Sequence, residues 1–207
     1  MKKIPTLFVR EFTDHRVVNI TDTVTPGLEE VLTNPVRYRA TVKFDGACCA
    51  IIGGDLYKRY DAKRGKTPPA GAIPCQPKPD AVTGHWPHWI LVDFDNPADR
   101  WFGVAYHNTI RPGEHLPDGT YEAIGPHFQS NPYGMDRDEL VPHGTLRVDV
   151  PRTFDGIREY LESAPMEGLV FWDNWSNEPV CKIKRTDFGF PWPEEEDDIN
   201  GNRDRNP

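Results

Sequence analysis

Proline and glycine recur so often in this chain that no long helix can run uninterrupted. There are 21 prolines and 17 glycines in 207 residues. A proline inside a helix loses a hydrogen bond and collides with the preceding turn, and a glycine there costs about 1 kcal/mol relative to alanine. Many short elements joined by turns are expected, rather than a helical bundle. The length supplies one sizeable domain and falls short of two. With 37% apolar and 27% charged residues the chain reads as globular.

Periodicity predicts strands over 37–44, 47–52, 55–60, 88–93, 119–124, 167–172 and 179–185, with Gly53-Gly54 as a hairpin turn between two of them. Three helices are expected. Thr25-Pro26 reads as a helix start with Pro at the first helical position, Glu29 and Glu30 near its positive end, and Leu28, Val31 and Leu32 on its apolar face. A second begins at Thr153, carries Phe154, Ile157 and Leu161 on one stripe and ends before Pro165. A third runs from Pro97 to about His107. The fold class is α+β: largely antiparallel sheets flanked by a few helices, over residues 1–193.

Six acids against two arginines put −4 in residues 194–207, leaving −4 of the total −8 on the rest. That last stretch reads as a solvated, disordered tail. No global charge argument for a nucleic-acid partner exists, although a mildly acidic body can still present a basic groove. No apolar run is long enough to span a membrane, and Pro5 and Arg10 interrupt the start before a signal-peptide core can form. Cys48, Cys49, Cys75 and Cys181 make no CxxC pair, which fits a reducing cytoplasm. Cys75 with His85 and His88 matches no zinc spacing, and the three read as loop residues.

Strand alternation makes an arrangement out of scattered charges. Lys182 and Lys184 point to one face while Cys181 and Ile183 point to the other. Glu167 shares a face with Leu169 and Phe171, so it is either at a wet strand end or held in a site. Glu122 falls on the face of Ile124. Lys43 ends one strand just before Asp45-Gly46, and Gly46 permits a tight turn into the next. Three strands thus carry charges into apolar surroundings, which is costly unless the charges pair with each other or with a ligand. Taken singly, each has an ordinary explanation: KxDG arises by chance, Lys-x-Lys is usually a solvated face, and Glu-Gly often starts a strand.

Their order is the informative part. Lys43, Arg59, Glu122, Glu167 and the pair Lys182 and Lys184 follow one another as the motif series of covalent nucleotidyltransferases does. More narrowly, Lys43-Phe44-Asp45-Gly46-Ala47-Cys48-Cys49 resembles the KxDGxCC signature of the vertebrate-type 5′-to-3′ RNA ligases and their microbial relatives. The stretch Ile124–Gly134, containing Asn131-Pro132-Tyr133-Gly134, resembles another segment of that family. Val141-Pro142-His143-Gly144 resembles a third. Glu167–Trp172, then Lys182-Ile183-Lys184-Arg185 and Gly189-Phe190-Pro191-Trp192-Pro193, resemble its closing block. Together these stretches span residues 36–193.

The resemblance implies an adenylation domain, with ATP as co-substrate and Mg²⁺ (or Mn²⁺) as cofactor. Lys43 is then the adenylylated nucleophile, Arg59 contacts the nucleotide or the RNA phosphate, and Glu122 lies near ribose or hydrated metal. Glu167 is the metal-associated glutamate, Asp45 orients metal-bound water, and Lys182, with Lys184 beside it, meets the α-phosphate. The chemistry asks for these types. An amine attacks phosphorus only when neutral, and neighbouring cations disfavour its protonated form. The same cations stabilise charge on the transferring phosphoryl group. AMP then passes from Lys43 to an RNA 5′-phosphate, and a 3′-hydroxyl seals the bond.

A DNA ligase is disfavoured because Cys48 stands where such enzymes place an arginine. No OB-fold is expected after Trp192-Pro193, which counts against DNA ligases and capping guanylyltransferases alike. A non-catalytic nucleotide- or RNA-binding module and a protein-AMPylating enzyme remain as alternatives. Phe154 is the candidate ring against adenine. Cys48 and Cys49 read as packed strand residues.

Overall fold

The computed structural model describes residues 1–13, 16–111 and 113–193. Residues 194–207, read above as a tail, lie outside the described residues. Among the described residues the named strands pair antiparallel in three sheets, and Thr6 makes an isolated parallel bridge to Lys182. β1 (Phe8–Thr13) and β2 (Arg16–Val24) form a two-stranded ribbon. The short helix α1 (Glu29–Thr33) leads into β3 (Tyr38–Lys43), and the chain then crosses to β4 (Ala47–Ile52) and β5 (Asp55–Ala62). After β6 (Ile73–Pro74) and β7 (Trp86–Leu91) come α2 (Arg100–Thr109), β8 (Gly119–Ile124) and β9 (Glu139–Pro142). β10 (Arg147–Val148), α3 (Phe154–Ser163), β11 (Gly168–Asp173) and β12 (Glu178–Lys184) complete the order.

The second sheet runs β10-β3-β11-β12 and the third β6-β7-β5-β4-β8-β9. Each buries one face in its own core. Leu169, Phe171, Cys181 and Ile183 of the second sheet pack with Val31 of α1, Ile157 and Leu161 of α3, and Phe8 of the ribbon. Cys49, Ile51, Tyr121 and Ala123 of the third pack with Ala105 of α2 and with Phe128. Strand alternation then leaves each sheet a second, more polar face. Those two faces look at each other across a cleft.

The turn chemistry departs from expectation at α1. Gly27 adopts φ +87°, outside the helical region, so Thr25–Gly27 form a turn, Leu28 is the N-cap and Pro26 is not the first helical residue. α3 begins as expected, with Thr153 Oγ1 accepting a hydrogen bond from the Gly156 N–H at 3.1 Å. Among the described residues no helix is long and apolar enough to cross a membrane.

Arg185, just beyond β12, fixes the end of the second sheet. It is 2% exposed and, among the described residues, has no carboxylate partner. Its guanidinium donates instead to the carbonyls of Pro191 (2.6 Å), Ala164 (2.7 Å) and Glu162 (3.2 Å), while its backbone N–H donates to the Glu167 carbonyl at 2.9 Å. Oriented carbonyls near the C-terminal end of α3 compensate the cation. Hydrogen bonds to a charged donor are each worth about 1.5–3 kcal/mol. Arg185→Ala is therefore expected to lower stability by about 3 kcal/mol or more in urea unfolding, and Arg185→Lys, which cannot fork, to restore only part of it.

Candidate active site

Antiparallel register gathers the lysines. Gly168 of β11 lies between Lys43 of β3 and Lys184 of β12, and Val170 lies between Thr41 and Lys182. Thr41, Lys43, Val170, Trp172 and Lys182 therefore share the cleft face of the second sheet, and all line one pocket. Cys48, Arg59 and Glu122 line it from the third sheet, His143-Gly144 from the connection after β9, and Met1–Ile4 from a segment beside β12. In a protein of net charge −8, a pocket lined by Lys2, Lys3, Lys43, Arg59 and Lys182 against Glu122 is locally cationic. Such a site favours an anion.

Glu167 forms ion pairs with both Lys43 and Lys184, one through each carboxylate oxygen. It stands one residue before β11, where strict alternation no longer applies. Gly168 beside it carries no side chain to obstruct the reach. Glu167 is thus held by two lysines, away from the core face of Leu169 and Phe171. Burial alone would raise the Glu167 carboxyl, but the Lys43 and Lys184 ammoniums outweigh it and hold the group below its usual value. Asp45 is pushed up, by burial first and by the charge of Glu167 second. Its backbone N–H donates to the Tyr133 hydroxyl at 2.6 Å, and Tyr133 packs edge-on against Phe44 at 5.5 Å and Trp192 at 5.3 Å.

Lys182 is pulled down to about 8, by burial first and then by the neighbouring ammoniums of Lys43 and Lys184. A lysine lowered in the fold binds fewer protons than its unfolded counterpart between pH 8 and its ordinary value, so this group's contribution to stability rises with pH through that window. An anion placed beside it has the reverse consequence, because it favours the charged form. Phosphate binding is expected to draw a proton onto Lys182 above about pH 8 and to weaken as pH rises further. Calorimetric titration with a non-hydrolysable ATP analogue, in buffers of contrasting ionisation enthalpy, measures that uptake. Near pH 9 it should approach about one proton, and the Lys182→Met variant should abolish it.

Other sequence expectations fare unevenly. Arg59 lies in the pocket wall, with its Nε bonded to Asp61 at 3.1 Å. Glu122 is 8% exposed and faces the pocket, as alternation from Tyr121 and Ala123 requires. Phe154 is far from the role given to it: it packs on Phe8 at 5.0 Å and Phe188 at 5.4 Å, in the core behind the second sheet. The rings in the pocket wall are Phe44 and Trp172, which the sequence reading missed. Trp172 was within reach, since it shares strand parity with Val170. Cys49 is a packed core residue as expected, but Cys48 faces the pocket. His143, quoted only as part of a resembling segment, lies 2.8 Å through Nε2 from Glu122 Oε2. Cys75, His85 and His88 do not group together among the described residues.

The two sheets thus frame a pocket with Lys43 and Lys182 in its wall, and Glu167 pairs with Lys43 and Lys184 beside it. No family model matches the chain. Curated proteins do resemble it. RNA ligase 1 of Rattus norvegicus is 24% identical over an alignment of 273 positions that covers 93% of this chain and 82% of that protein. RNA ligase 1 of Danio rerio is 28% identical over 147 positions, and that of Pongo abelii 26% over 151, each covering 56% of this chain. Those two alignments take in 44% of the relative's own length.

Proposed function

We propose that this chain is an ATP-dependent RNA ligase with a nucleotidyltransferase fold, joining RNA 5′-phosphate and 3′-hydroxyl ends through a Lys43–AMP intermediate. One observation carries the reading: Lys43, joined to Glu167 and through it to Lys184 beside Gly168, also lines one pocket with Lys182, Arg59 and Glu122. The similarity to proteins named RNA ligase 1, over nearly the whole chain in one case, supports the choice of acceptor.

In the first step Lys43, ion-paired to Glu167, gives up its extra proton to solvent, and the amine attacks the α-phosphorus of ATP, shedding a second proton as the phosphoramidate forms. The Nζ–P bond forms, the bond to the bridging oxygen breaks, and pyrophosphate leaves with that electron pair. Glu167 holds the amine in place, while Lys182 and Lys184 stabilise charge on the transferring phosphoryl oxygens. Arg59 and Lys2 are placed to meet further phosphates. In the second step an RNA 5′-phosphate oxygen displaces Lys43, giving a 5′–5′ anhydride. In the third a 3′-hydroxyl attacks that activated phosphate and AMP departs.

The residues also fit Mg²⁺ (or Mn²⁺). Asp45 and Glu167 are neighbouring carboxylates, and Asp45 is pushed up by burial first and by the charge of Glu167 second, a cost that a cation would relieve. Both Glu167 oxygens already bind ammoniums, so Asp45 is the better inner ligand, with the rest supplied by water and phosphate oxygens. When bound, the ion adds positive charge at the phosphates.

The test is a pulse and chase. Protein labelled with α-labelled ATP is mixed with RNA bearing a 5′-phosphate and a 3′-hydroxyl. The label is expected to leave the protein as sealed product accumulates, with no labelling from GTP and no sealing of nicked DNA. An adduct formed from GTP, or one that RNA fails to discharge, overturns the reading.

A further inference from the structure

Among the described residues, one group of three metal-ligating side chains has its ligand atoms all within 4.8 Å of one another: Cys48, Glu122 and His143. It is distinct from the carboxylates Asp45 and Glu167 considered for Mg²⁺. Backbone register builds it. Cys48 and Glu122 are directly paired partners on β4 and β8. His143 follows β9, whose Val141 is paired with Glu122, and its N–H donates to the Thr120 carbonyl at 3.0 Å. Three neighbouring strands therefore deliver a sulfur, an oxygen and a nitrogen to one spot, with little freedom to spread.

We infer that Cys48, Glu122 and His143 form a binding site for a borderline divalent cation of the zinc class. Thiolate, imidazole and carboxylate together match Zn²⁺, whereas Mg²⁺ and Ca²⁺ prefer oxygen donors throughout. Tetrahedral ligands at about 2.0–2.3 Å from Zn²⁺ stand roughly 3.5 Å apart, a spacing that small side-chain movements reach from here. With Cys48 deprotonated, the two negative ligands balance the ion's charge. All three residues line the pocket, so the fourth coordination position opens into the cleft.

A purely structural pairing accounts less well for the group. His143 Nδ1 is buried without a hydrogen-bond partner, so Glu122 alone holds the ring. Without an ion, the Glu122–His143 hydrogen bond closes the site. Arg59 and the Met1 ammonium are the cations beside Cys48, and Arg59 already has Asp61 as a partner.

Metal content tests this independently of ligase activity. The full chain is stripped with a chelator and titrated with Zn²⁺ against a chromophoric competitor, in excess Mg²⁺. A single Zn²⁺ per chain is expected, with affinity falling roughly a hundredfold or more in Cys48→Ser and in His143→Ala and unchanged in Cys75→Ser. Co²⁺ in place of Zn²⁺ should give a thiolate-to-cobalt charge-transfer band in the wild type that is missing from Cys48→Ser. Failure of the wild type to retain Zn²⁺, or undiminished binding in both ligand variants, overturns the assignment. Should those variants not fold, the wild-type Co²⁺ spectrum decides, and absence of the thiolate band is equally fatal.

Discussion

Lys43→Ala is expected to reduce the covalent AMP adduct formed from α-labelled ATP and Mg²⁺ to background. Nucleotide binding should survive in part, because Arg59, Lys182 and the facing wall remain. Glu167→Gln should behave differently. It keeps the nucleophile but removes the one carboxylate between Lys43 and Lys184, leaving two ammoniums without their counter-charge. Loss of one such positioned polar group typically costs about 10²–10³ in rate, so adduct formation should slow by that order while the end point is still reached. The backbone bonds of Glu167 to Lys43 and Arg185 do not involve its side chain, so the fold should persist in both variants. The contrast matters because a lysine serving only as a structural ion-pair partner would move stability and leave labelling intact. Gel analysis of acid-labile label over time separates the cases, and persistent labelling of Lys43→Ala would falsify the assignment.

A single methyl group at Gly168 should be nearly as damaging, by another route. A Cβ there would meet the backbone of β12, with Lys184 Cα at 2.8 Å and the Ile183 carbonyl carbon at 3.0 Å. Backbone held in a strand ladder, even at the sheet's last strand, cannot step aside as a flexible side chain does. Gly168→Ala must therefore part β11 from β12 beside Glu167 and loosen the Lys184 contact. The cost should reach or exceed the top of the ~1–3 kcal/mol range for overpacked sites. Urea unfolding measures it, with Gly119→Ala as comparison. There the nearest atom to an added Cβ is Tyr121 Cε2 at 3.8 Å, and a change within about 0.5 kcal/mol is expected. Equal midpoints for the two variants would show that the strands accommodate the methyl group.

Much of the sheet framework could be read from period and turns. The stretches 47–52 and 119–124 coincide with β4 and β8, and 179–185 differs from β12 by one residue at each end. These strands carry an apolar face of period two that only one register can bury. The ribbon Phe8–Thr13 with Arg16–Val24 went unread because its alternation is weak, and it gains order by covering the core around Phe8. β9 and β10 are too short to show a period. At the site, the lysines were visible as same-face residues on β12. The partnership of Glu167 with two of them was not, since it depends on how three strands align and on a glycine between them. His143 escaped for a similar reason: a lone histidine after a proline has no pattern until β8 and β9 pair. Phe154 was misplaced because a helix's apolar stripe says that a ring is buried, not which side of a sheet it is buried on.

The chain passes between the two large sheets twice in quick succession of space, at Phe44–Gly46 and at His143–Leu146. Those crossings are covalent pivots, and Lys43 sits on one of them. If the sheets rock apart, the far walls sweep through an arc while Lys43 stays near the axis. An amine so placed keeps its aim through opening and closing, and the swing falls to Arg59, whose guanidinium lies further from the line of rotation.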